Sequence, residues 1–138
     1  MILLLVSVLY CSILSHSFES SSKDYKHLDG KIAKVIMRPT KEKWDTMLEA
    51  MEYYVNKLRD PGLILAQDCE KNKSIITGIL KDGCPNFVNL AVDEKYLLNE
   101  IDLTKKQLSR FYELRDNTKR TWSEFVTICA KQNVTMHV

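Results

Sequence analysis

Proline and glycine are scarce in this sequence, three and four among 138 residues, so long helices meet few obstacles. Histidine is scarcer still, with three. Once the N-terminal apolar run is set aside, His27 and His137 remain. Neither stands three or four residues from another strong ligand on a convincing face, and no metal site is expected. There is no glycine-rich phosphate loop and no Gly-x-Ser-x-Gly elbow, the two short motifs that would most readily announce nucleotide or ester chemistry. No catalytic residue and no cofactor is therefore assigned, and the chain reads as a non-enzyme. Excess charge is lacking too: the net charge of +2 is too small to imply a nucleic-acid partner. With 45% apolar and 28% charged residues, the composition is that of an ordinary globular protein, and the length suits one domain.

Long hydrophobic runs are absent except at the start. Ile2 to Leu14 is nearly all apolar, and the first charged side chain is Glu19. That run is too short to cross a bilayer core of ~30 Å as a helix, so the chain is not expected to span a membrane. It suits the apolar core of a signal peptide, although no Lys or Arg precedes it. Ser15-His16-Ser17 places small residues at −3 and −1, so residues 1–17 read as a cleaved signal peptide and 18–138 as one secreted, extracellular domain.

Every periodic segment of that domain has helical spacing. Leu28, Ile32, Val35 and Ile36 predict a first helix, weakened by Gly30 and ended by Pro39. Thr40 is a suitable N-cap for a second of about five turns, carrying Trp44, Met47, Leu48, Met51, Val55 and Leu58 on one side. Asp60-Pro61-Gly62 is read as its stop. Leu65, Cys69, Ile76, Ile79 and Leu80 predict a third, with Gly83 as its C-cap glycine. Cys84 to Val92 reads as an apolar loop with Phe87, Val88, Leu90 and Val92 packed down. From Asp93, Leu97, Ile101, Thr104, Leu108, Phe111, Arg115, Thr118, Trp122, Phe125 and Cys129 recur with 4-3 spacing to the C-terminus. Thr104, Arg115 and Thr118 are poor core residues. Asp116-Asn117 is turn chemistry, and Thr121-Trp122-Ser123-Glu124 fits a capping box. The favoured reading is thus a break at Asp116-Asn117 and a new helix from Thr121. No strand pattern occurs. The expectation is an all-α fold, a small bundle of four to five helices.

Three cysteines remain after the signal peptide, so one internal bridge is the most they can form. If residues 70–82 are helical, Cys69 and Cys84 lie ~22 Å apart and cannot pair. With a turn at Asp116-Asn117, Cys129 returns to nearly the height of Cys69. This predicts a Cys69–Cys129 disulfide with Cys84 a free thiol, either buried and inert or joining two chains. Asn72-Lys73-Ser74 and Asn133-Val134-Thr135 are sequons, so Asn72 and Asn133 are candidate glycosylation sites.

One surface has a functional pattern. Lys23, His27, Lys31, Lys34 and Arg38 fall within one quadrant of a helical wheel, a candidate docking face for an acidic protein receptor or a polyanion. A signal peptide, amphipathic helices, a disulfide and sequons together resemble the architecture of the short helical cytokines, without a motif that assigns the chain to that family or any other. The expected function is surface recognition of a partner, as an extracellular signalling ligand or a lineage-specific effector. The alternative is a carrier of small apolar ligands in a bundle cavity lined by Trp44, Met47, Met51 and Tyr54.

Overall fold

The computed structural model describes residues 28–132. The expected signal peptide and cleavage site, Lys23, His27 and Asn133 lie outside the described residues. Those that are described are mainly helical and contain no strand. Helix α1 covers residues 28–37, α2 Lys41–Lys57, α3 Leu63–Ala66, α4 Lys73–Asp82, α5 Glu94–Asn99 and α6 Lys105–Lys131. None of them is long and apolar enough to cross a membrane.

The α1–α2 corner follows the sequence closely. The last helical bond of α1 runs from the Arg38 N–H to the Lys34 carbonyl (3.0 Å), immediately before Pro39. The Thr40 hydroxyl then accepts the Lys43 N–H (3.2 Å) and starts α2. Trp44, Met47, Met51, Tyr54 and Val55 form the buried stripe of α2, which packs along α6. Trp44 meets Phe111 at 5.3 Å between ring centroids. Outside this apolar seam, Gln107 donates to Asp45 (2.8 Å) and Arg110 pairs with Glu52 (3.0 Å).

Three boundaries differ from the sequence reading, each for a local reason. Asp60-Pro61-Gly62 does not stop the chain. Residues Leu58–Gly62 widen into a π-turn in which the Leu63 N–H bonds the Leu58 carbonyl, and the path continues into α3. A proline cannot donate a helical bond and clashes with the carbonyl four residues back, and the wider turn relieves both. The third helix is not continuous either. Asp68 accepts the Lys71 N–H, and the Asn72 amide donates to the Leu65 and Asp68 carbonyls, each at 3.1 Å. These side chains compete with the helical ladder and produce the turn at residues 67–72.

The third correction concerns the C-terminal half. No break occurs at Asp116-Asn117 and no helix starts at Thr121; α6 runs unbroken from Lys105 to Lys131. The break lies upstream, where Asp102 has φ 59°, in the left-handed region. Thr104 is the cap there, not a member of the stripe: its hydroxyl and the Gln107 side chain form a reciprocal capping box. The poor core residues find local partners. Thr118 is fully buried, its hydroxyl donating to the Leu114 carbonyl (2.7 Å). Arg115 lies over the Tyr112 ring at 4.9 Å and the Phe111 ring at 5.8 Å.

Between α4 and α5, Gly83 is the C-cap, with φ 78° and ψ −176°, a conformation open essentially to glycine alone, and its N–H bonds the Ile79 carbonyl (3.1 Å). The 3-10 turn Asn86–Asn89 then buries Phe87 and Val88. Pro85 supplies no capping side chain to this turn. Asp29 of α1 does so instead: its carboxylate accepts the N–H groups of Asn86 (2.9 Å) and Phe87 (3.1 Å). This contact ties α1 to the rest of the bundle.

Candidate functional site

Helices α1 and α2, joined at the Pro39-Thr40 corner, flank a half-open groove of about 900 Å³. Ile32, Val35, Met47 and Ala50 supply apolar surface to it. Helical spacing explains why: Ile32 and Val35 share the inner face of α1, and Met47 and Ala50 lie one turn apart on α2. Exposed Lys31 and Lys34 from α1, Arg38 just past its end and Lys43 from α2 form its rim, with Glu42 the one carboxylate among the lining residues. Among the described residues, none of these four cations belongs to an ion pair. Met37, 79% exposed, stands at the same lip. The arrangement offers an apolar trough whose described rim carries four cations and one carboxylate, a net positive charge.

Of the expected basic face, the described residues Lys31, Lys34 and Arg38 share this rim. Lys43 was missed, because its membership depends on how α2 folds back beside α1, which no helical wheel contains. The alternative ligand cavity among Trp44, Met51 and Tyr54 is filled by core packing: Trp44 and Met51 are fully buried in the core, and Tyr54 packs edge-on to Phe87 at 6.0 Å. Met47 alone of that set also reaches the groove.

The cysteines form a second site. The Cys69 and Cys129 sulfurs stand 3.6 Å apart as free thiols, both fully buried. Burial first, and the neighbouring Cys69 thiol after it, push the Cys129 thiol up to about 12. Gln132, just past α6, clamps the pair. Its side-chain oxygen accepts the Cys69 N–H (2.8 Å), and its nitrogen donates to the Ala66 carbonyl (2.6 Å). Cys84 is half-buried, and its thiol is also raised, by burial first, against the lowering effect of Lys119. Asn72 is half-buried with its amide nitrogen engaged by two carbonyls. No group of three or more His, Cys, Asp or Glu side chains gathers as a metal site among the described residues.

Compared with known proteins, the chain matches no family, no curated sequence and no solved structure.

Proposed function

We propose that the chain is a secreted, non-enzymatic recognition protein whose working surface is the α1–α2 groove, and that its partner presents an acidic amphipathic helix. The observation that carries this reading is the combination of an apolar trough with four rim cations that form no ion pair among the described residues. A helix with one apolar and one carboxylate-bearing face satisfies both parts at once, in the helix-in-groove mode of recognition. A sulfated polysaccharide would use the charge and leave the apolar surface wet. The signal-peptide reading of residues 1–17 supports the extracellular assignment.

The direct assay is fluorescence anisotropy of a labelled helical peptide, Leu on one face and Glu on the other, with the full chain as cells secrete it. Binding should weaken as salt rises, and Lys31→Glu/Lys34→Glu/Arg38→Glu should lower affinity by at least about tenfold. Protein collected from the medium should begin at Phe18. Peptide that fails to bind, or protein that stays in the cytosol with Met1 intact, contradicts the proposal.

The carrier reading retains one favourable observation. The groove volume of about 900 Å³ falls within the ordinary range of small-molecule sites. Oleate is the comparator: if it fills the groove and the peptide cannot displace it, the carrier reading replaces recognition.

A further inference from the structure

We propose that Cys69 and Cys129 are joined as an intramolecular disulfide in the mature protein, tying the end of α6 covalently to the turn between α3 and α4. Their sulfurs stand 3.6 Å apart, so bonding closes the gap by about 1.5 Å. The backbones around them are already held in register. Gln132 bridges the Cys69 N–H and the Ala66 carbonyl from the end of α6, and the Cys69 sulfur also lies 3.2 Å from the Ala66 carbonyl oxygen. Two fully buried thiols facing each other, with no third ligand gathered beside them among the described residues, make a well-placed bridge. The third thiol is kept apart. Cys84 follows the far end of α4, whose ten residues rise ~15 Å from the turn that carries Cys69.

The oxidant is a disulfide, either that of an oxidoreductase or oxidised glutathione. One protein thiolate attacks an oxidant sulfur, forming a mixed disulfide and expelling the other oxidant sulfur as a thiolate. The second protein thiolate attacks the protein sulfur of that mixed disulfide, forming the Cys69–Cys129 bond and expelling the remaining oxidant sulfur. Two protons leave the protein thiols, and two electrons reduce the oxidant's disulfide to two thiols. Both cysteines are fully buried, so this exchange belongs to folding, before the end of α6 docks, or to openings of the turn at residues 67–72.

The test does not depend on the groove or on secretion. The full chain is unfolded, reduced and refolded in a buffer of reduced and oxidised glutathione, then alkylated and digested without reduction. The expected products are one cross-linked peptide pair containing Cys69 and Cys129, and an alkylated Cys84. Alkylation of all three cysteines, glutathione left on Cys69 or Cys129, or a cross-link involving Cys84 overturns the proposal. The bond closes a loop between residues sixty apart. Its loss should lower the melting temperature by about 10 °C. Reduction of the native protein measures that shift even if Cys69→Ser/Cys129→Ser fails to fold, and Cys84→Ser should leave it unchanged. A reduced protein that melts with the oxidised one contradicts the tether.

Discussion

Replacing Asp29 with alanine should unfasten α1 from the loop beneath it. The Asp29 carboxylate accepts two N–H groups, of Asn86 at 2.9 Å and of Phe87 at 3.1 Å. Hydrogen bonds to a charged group contribute about 1.5–3 kcal/mol each where water is excluded. Here the Asn86 contact is exposed and the Phe87 contact partly buried, so water compensates for much of the first and less of the second. Alanine also favours α1 by a few tenths of a kcal/mol. The net loss should be about 2 kcal/mol, the upper end of the range for an N-cap. For a domain of this size that is a fall of about 8 °C in melting temperature. Asp29→Asn keeps one carbonyl acceptor and should lose about half as much. Thermal unfolding followed by circular dichroism gives the shift, and hydrogen exchange should show faster exchange at Asn86 and Phe87. A shift below about 2 °C with unchanged exchange at those two amides would refute the assigned role of Asp29.

Gly78 lies inside α4 with nothing within 4 Å of an added Cβ, so Gly78→Ala should raise stability by about 0.5–1 kcal/mol. Gly83 at φ 78° should lose about 1–2 kcal/mol on the same change, and denaturant midpoints measure both. Gln132→Ala removes partners from the Cys69 N–H and the Ala66 carbonyl, and should cost about 2 kcal/mol with faster exchange at Cys69. Burial first, and the Glu94 hydrogen bond after it, push the Tyr112 phenol from 10.0 up to about 12. Because the folded value is raised, the stability it contributes is complete below pH ~10 and lost as pH climbs through ~12. Tyrosinate absorbance should show a late-titrating phenol that disappears in Tyr112→Phe and titrates earlier in Glu94→Gln.

Much of the chain's punctuation is legible in the sequence because it is local. Pro39, Thr40, Gly83 and Asp93 each act within a few residues, and each stands at the boundary it predicts. The misreadings arise where two local signals compete for the same residues and contacts within the helix decide between them. Asp116-Asn117 has turn composition, yet Thr118 bonds its own helix and Arg115 lies on aromatic rings, so the helix continues. Thr104 fits the heptad stripe and a cap equally well, and the reciprocal Gln107 contact decides for the cap. Cys69 and Cys129 lie together although both premises used to relate them, an unbroken third helix and a turn at Asp116-Asn117, are absent. The actual turns at residues 67–72 and 100–104 bring the two ends together instead. The basic face is visible as a quadrant of a wheel. The apolar trough beside it, Lys43 and the Asp29 fastening are not, because they arise only when α2 and the 86–89 turn pack against α1.

Titrating the Leu/Glu peptide into isotopically labelled protein while recording backbone amide shifts tests the recognition surface most directly. The largest changes should fall within residues 31–38 and 42–50, the segments that supply most of the groove lining, and should vanish in Lys31→Glu/Lys34→Glu/Arg38→Glu while the variant's other resonances stay in place. Changes centred on the exposed face of α6, or the same changes persisting in the variant, would contradict the assignment of the α1–α2 groove as the working surface.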